Sequence, residues 1–207
     1  MNLSVVIPLL IIALVFIAIY FIKREKDMVY VKSDIDNEMY MVRRETDRQE
    51  ASNMLATLKK NIYEITKYMM KKLENEKTAK ENRYIEFKPY ILQLNEKIKN
   101  VEIRESSSNS VYTSYTVNKG EQIIFCIRSK DIDKALNGKI HDINLLMYVT
   151  LHEISHVACP EYDHTPLFKK IFHFICEEAI ELGIYKKIPF NEVSHEYCGM
   201  QINDSII

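Results

Sequence analysis

The chain has 207 residues, of which 47% are hydrophobic and 28% charged, with a formal net charge of −1, 4 Gly and 5 Pro. That composition excludes a disordered or low-complexity chain, supplies apolar material for one sizeable core, and offers no general attraction to nucleic acid. The 4 cysteines, Cys126, Cys159, Cys176 and Cys198, are widely spaced with no CxxC pair; they read as reduced thiols, with two bridges in an extracellular domain as the alternative.

Leu3 to Ile22 carries no charge, and at ~1.5 Å per residue it is long enough to cross ~30 Å of hydrocarbon. Lys23-Arg24-Glu25-Lys26 follows at once. The expectation is a transmembrane anchor with its basic flank over residues 1–26 and one globular domain over 27–207. Basic residues on the C-terminal side alone place the N-terminus outside and the domain on the cytoplasmic side, or in the equivalent virion interior.

Met28 to Lys32 and Met39 to Arg43 are β-favouring runs separated by Ser33-Asp34-Ile35-Asp36-Asn37-Glu38, a hairpin pattern. Thr46 followed by Gln49 predicts a capping-box helix start. From there Leu55, Leu58, Ile62, Ile65 and Met69 recur at spacings of three and four, one apolar helix stripe running to about Leu73. Lys71 to Asn82 reads as a charged connection, and Pro89 predicts the start of a further helix with Ile91, Leu94 and Ile98 facing inward. Val111 to Val117 alternates, Asn118-Lys119-Gly120-Glu121 supplies a turn, and Ile123 to Ile127 is continuously apolar, so a second hairpin is expected with one half-exposed and one buried strand. Asn137-Gly138 marks another turn, and Asp142 is placed to cap the next helix.

That helix, Ile143 to Ala158, contains His152-Glu153-Ile154-Ser155-His156, an HExxH motif in an apolar run. Two histidines four apart share a helix face and can reach one metal ion, while Glu153 lies beside the first. A catalytic zinc takes three protein ligands and keeps a position for water. Pro160 ends the helix, Thr165-Pro166 reads as N-cap and N1 of the next, and His164 falls on the turn between them, twelve residues after His152. The expected set is Zn2+ on His152, His156 and His164 with Glu153 as catalytic carboxylate. The rivals for the third position are Glu177 or Glu178 on the following helix, and Asp163 or Cys159 in the turn. Leu167 to about Glu181 is amphipathic, with Gly183 as its stop. His173 and His195 are expected to be unliganded.

HEISH followed by His164-Thr165-Pro166-Leu167-Phe168 resembles the WLM and SprT-like zincin metallopeptidases, and the hairpin Tyr112 to Glu121, Phe125-Cys126-Ile127-Arg128 and Tyr197-Cys198-Gly199-Met200 are similar to WLM-type proteins of large DNA viruses. The resemblance implies an α+β, zincin-like minimal metallopeptidase domain, with an active-site helix, small antiparallel hairpins and flanking helices, here behind the anchor. It implies zinc on the three histidines and Glu153 as base. The chain departs from that pattern in its third histidine, two residues later than usual, and it carries no zinc ribbon or basic tail.

The function expected is a membrane-anchored zinc endopeptidase whose substrate is a protein or peptide. Tyr112, Thr113, Ser114, Tyr115, Thr116 and Val117 are the candidate strand for pairing with substrate backbone, and Tyr115 and Tyr162 are candidate oxyanion donors. The alternative is a catalytically silent zinc-holding structural or interaction protein of a virion or host membrane, with Cys159 closing the site as a fourth ligand.

Overall fold

The computed structural model describes residues 6–16, 27–75, 81–130, 138–203 and 206. In chain order, helix α1 occupies 6–16 and strands β1 (Met28–Lys32) and β2 (Met39–Arg43) form a hairpin. Helices α2 (Arg48–Glu74) and α3 (Asn82–Lys97) follow, then β3 (Glu102–Glu105), β4 (Tyr115–Val117) and β5 (Gln122–Phe125). Helices α4 (Ile143–Ala158) and α5 (Pro166–Leu182) come next, and the hairpin β6 (His195–Tyr197) and β7 (Met200–Ile202) closes the order. The architecture is α+β.

The transmembrane anchor requires correction. Its described part is α1, the helical stretch over 6–16. Among the described residues no helix is long and apolar enough to cross a membrane. The rest of the expected span, and the basic flank at 23–26, lie outside the described residues.

Helix α4 runs through the core. Asp142 caps it by accepting from the Asn144 amide at 2.8 Å, and twelve of its sixteen residues are buried. Thr150 and Ser155 are tolerated inside because their hydroxyls donate to the carbonyls four residues back, at 2.7 and 2.6 Å. The helix stops where Cys159 turns extended ahead of Pro160.

Around it, α2 contributes its predicted stripe, Leu55, Leu58, Ile62, Ile65 and Met69, all fully buried. The expected capping box is not formed: Asp47 occupies the N-cap position without a side-chain cap bond. The Gln49 amide is drawn instead to the first hairpin, donating to the Lys32 carbonyl at 2.9 Å and to Asp34 at 3.0 Å. Helix α3 begins at Asn82 rather than at Pro89, which lies inside it. Packing outweighs the proline cost there, because the turn before Pro89 buries Tyr84 and Phe87 against Phe174, Phe87 stacking at 4.3 Å. Ile91, Leu94 and Ile98 do face inward.

The main sheet has the order β3-β5-β4, with β3 parallel and β4 antiparallel to β5. Strand β3 is unanticipated, since Glu102-Ile103-Arg104-Glu105 presents one apolar side chain among three charges. Its Glu105 is fully buried and is held by Arg128 Nε at 2.7 Å, by the Arg43 amide at 2.8 Å and by Arg43 Nε at 3.4 Å. Burial works against these charges, raising the Glu105 carboxyl and lowering the Arg43 guanidinium from their usual values.

The expectation of four reduced thiols is also corrected. Cys126 and Cys198 form a disulfide across 72 residues, while Cys159 and Cys176 are free and buried. It fastens the chain just after β5 to the β6–β7 hairpin. No local spacing announces a bridge of that span.

Glu105→Ala removes the buried carboxylate shared by two guanidinium groups, leaving Arg128 with Asp47 as its carboxylate and Arg43 with carbonyl and hydroxyl partners. It is expected to lower the unfolding free energy by about 3–5 kcal/mol, read from the denaturant midpoint; a loss below about 1 kcal/mol would show that the cluster is solvated.

Candidate metal centre

Helix α4 sets His152 and His156 one turn apart, and the turn after Pro160 returns His164 to the same point. Asp163 reverses the chain in the left-handed region, φ 63°. Thr165 then caps α5, accepting from the Phe168 amide at 3.2 Å, with Pro166 in the first turn. The Nε2 atoms of the three imidazoles lie 3.2 Å (His152 to His156), 3.2 Å (His156 to His164) and 3.0 Å (His164 to His152) apart.

Tetrahedral coordination with bonds of ~2.0–2.1 Å requires ligand atoms ~3.3 Å apart, so the trio fits a zinc-sized ion to within a few tenths of an ångström. Phe168 backs all three rings, stacking on His156 at 4.2 Å and meeting His152 and His164 edge-on at 5.0 and 4.9 Å. The apolar wall limits ring rotation.

Burial and mutual repulsion keep the two helix imidazoles neutral, His152 lowered to about 3 and His156 to about 4. Both are therefore unprotonated at physiological pH, the form a metal ligand requires.

The rivals for the third position sit elsewhere. Glu178 is buried on α5 against Tyr84 (2.5 Å), Lys72 (3.0 Å) and Arg83 (3.2 Å). Glu177 pairs with Arg83 at 2.8 Å and His173 at 3.4 Å. The Cys159 side chain is fully buried, Asp163 is exposed, and among the described residues only His152, His156 and His164 form a metal-sized group. His195 lies on β6 against Phe190.

The turn that carries His164 is held by Lys119. Its ammonium donates to the Cys159 carbonyl at 2.9 Å and to the Glu161 carbonyl, and stands 4.5 Å over the Tyr162 ring. Lys119 can reach because the β4–β5 turn presses on α4: a Cβ at Gly120, φ 112°, would lie 2.9 Å from Val157. Sequence reading put Lys119 in a turn and gave it no role.

Glu153 is 3% exposed and accepts from the Thr116 hydroxyl of β4 at 2.9 Å. Burial raises its carboxyl to about 7, against the lowering effect of the Thr116 hydrogen bond. Carboxylate, imidazoles and β4 border one cleft of about 760 Å³. Tyr112, Thr113, Ser114, Tyr115 and Thr116 line it, whereas Val117 does not. Tyr162 also lines it but is 76% exposed beneath Lys119.

Sequence reading missed a second wall, made by Tyr148, Val149, Tyr197, Met200 and Ile202. Tyr197 is 3% exposed, with its hydroxyl hydrogen-bonded to Ser114. Its only sequence signal is the Tyr197-Cys198-Gly199-Met200 stretch.

Over 199 residues the chain is 42% identical to uncharacterized protein R325 of Acanthamoeba polyphaga mimivirus, covering 96% of this chain and 94% of that protein. The chain belongs to the R325 family. Shorter stretches are similar to two further viral proteins. Uncharacterized protein 136R of Invertebrate iridescent virus 6 is 44% identical over 78 residues, 37% of this chain and 42% of that protein. Uncharacterized protein 042R of Invertebrate iridescent virus 3 is 34% identical over 87 residues, 42% of this chain and 50% of that protein. No family model and no solved structure matches the chain. These relatives are viral proteins, and the chemistry of this chain is argued below from its own residues.

Two outcomes are expected. Lys119→Met loosens the turn that carries His164 and lowers zinc affinity about 10-fold, with Lys119→Arg largely restoring it; chelator competition measures both. In Glu153→Gln protein, where that carboxyl cannot titrate, zinc uptake at pH 5 releases at most about one proton, rather than the ~3 released by three ordinary imidazoles. The sign follows from His152 and His156 having already lost theirs at that pH. Calorimetry in buffers of different ionisation enthalpy counts the protons.

Proposed function

We propose that the chain is a zinc-dependent endopeptidase. The observation that carries this reading is the convergence of three imidazoles beside a buried carboxylate on a cleft bordered by a strand with a free edge. The likeness of HEISH and His164-Thr165-Pro166-Leu167-Phe168 to WLM and SprT-like zincins supports it. His152, His156 and His164 would hold the ion, which when bound supplies the Lewis acidity that activates water and polarises a carbonyl.

The chain's own groups account for the rest. β4 is an edge strand of its sheet, so an extended peptide can pair with its backbone and be held by main-chain hydrogen bonds with little dependence on sequence. Thr116 fixes Glu153 through its hydroxyl, at 2.9 Å to the carboxylate and 3.2 Å to the backbone carbonyl. Held by Thr116 in the cleft that the imidazoles share, the carboxylate is placed to accept a proton from the attacking water and return it to the leaving amine.

The alternative of a silent, closed four-ligand site has less support. The sulfur of Cys159 is not in the cluster, and among the described residues no fourth His, Cys, Asp or Glu joins it.

The test is cleavage of a fluorogenic peptide library by zinc-loaded protein, with and without chelator. Glu153→Gln is expected to keep its zinc and lose at least about 10²-fold in rate. Undiminished cleavage by that variant would refute the reading.

A further inference from the structure

The β6–β7 hairpin borders the cleft with Tyr197, Met200 and Ile202, and it is a small element to hold such a position. Each of its strands is three residues long, and a two-stranded hairpin of that size is marginal on its own. His195 packs on the Phe190 ring at 5.5 Å, and the Tyr197 and Ser114 hydroxyls are hydrogen-bonded to each other. The covalent tie is the Cys126–Cys198 bridge.

That bridge closes a circuit around the entrance to β4. The Cys126 amide donates to the Ser114 hydroxyl at 3.0 Å, the same hydroxyl meets Tyr197, and Tyr197 leads directly to Cys198. The imidazoles are carried elsewhere, on α4 and on the turn that Lys119 holds. The circuit therefore bears on the cleft wall and on β4 rather than on the metal donors.

Two observations mark the bridge as one that can open and close. Cys198 and Gly199 join Tyr197 to its partner Met200 with φ of 52° and 86°, a left-handed pair that suits Asn-Gly and disfavours cysteine at its first position. The bridge thus holds a turn that its own residue resists. Each sulfur also faces acceptors that a thiol can use: the Arg128 carbonyl at 3.5 Å from Cys126 Sγ, and the Cys126 carbonyl at 3.0 Å and His141 Nε2 at 3.8 Å from Cys198 Sγ. Reduction leaves neither thiol stranded.

We infer that Cys126–Cys198 is a reversible redox latch on the cleft wall. Closed, it seats Tyr197 and the C-terminal hairpin in the cleft the imidazoles share; opened by a dithiol reductant, it releases them and weakens peptide binding while the metal stays. The effect on peptides rests on the endopeptidase reading, and the release of the hairpin does not. Cys198 is 6% exposed and Cys126 0%, so a reductant thiolate reaches Cys198 Sγ first. It forms a mixed disulfide there as the bridge breaks, and Cys126 leaves as a thiolate that takes up a proton. The reductant's second thiol then displaces Cys198 in the same way and closes the reductant's own disulfide. Two electrons and two protons pass from the dithiol to the bridge.

The test opens the bridge of the full chain with dithiothreitol, removes the reagent and then loads zinc, since a dithiol competes for the metal. Alkylation after denaturation is expected to label all four cysteines rather than Cys159 and Cys176 alone. Hydrogen exchange in β6 and β7 is expected to quicken at least about 10-fold, zinc affinity to stay within about 2-fold, and KM for peptides to rise at least about 10-fold with a smaller change in kcat. Oxidised glutathione is expected to reverse the exchange and KM effects. Cys198→Asn, which suits the left-handed turn but cannot form the bridge, is expected to match the reduced chain and to ignore reductant. A bridge that dithiothreitol leaves intact in the folded chain, hairpin exchange or KM unchanged by reduction, or zinc lost with the bridge overturns the latch. If no peptide is cleaved in either state the endopeptidase reading falls, and hairpin exchange alone decides the latch.

Discussion

The constraint on which the site depends is that two imidazoles must stay uncharged and convergent inside a largely buried helix. A metal needs neutral nitrogen donors, and an isolated histidine near pH 6.5 is only partly neutral. Here the apolar character of α4, Phe168 at the back and the closeness of three basic rings all act against protonation. The three Nε2 atoms face one another at 3.0–3.2 Å, a spacing that suits a shared cation.

The third imidazole shows how a turn can be made as definite as a helix. His164 has no helical neighbour to fix it, yet its turn is clamped from both sides. Thr165 caps α5 after it, and Lys119 reaches across from the β4–β5 turn to carbonyls before it. The same β4 segment carries Thr116 to Glu153. One short hairpin thus positions the metal turn, orients the carboxylate and offers its own edge to a ligand, which links the fold to the function proposed for it.

Much of this could be read from the residues. The β1–β2 hairpin, the α2 stripe and the α4 and α5 helices follow from period-2 and period-3.6 patterning with caps at Asp142 and Thr165, where local chemistry and tertiary structure agree. HExxH, with His164 between a helix-ending proline and a Thr-Pro start, was enough to select three imidazoles that do converge. What was illegible rests on distant partners. Strand β3 depends on Arg43 and Arg128 neutralising Glu105, the interior Pro89 on Phe174, and the Cys126–Cys198 bridge on a fold that brings residues 72 apart together. The apolar N-terminal run, read as a membrane span, has no counterpart among the described residues, where no helix is long and apolar enough to cross a membrane.

The central claim is a single divalent ion on His152, His156 and His164 with one position open. X-ray absorption at the zinc edge of the full chain tests it most directly. The account predicts one zinc per chain with three imidazole nitrogens and one further light-atom ligand. A protein without stoichiometric metal, or a zinc with sulfur in its coordination shell, would contradict it.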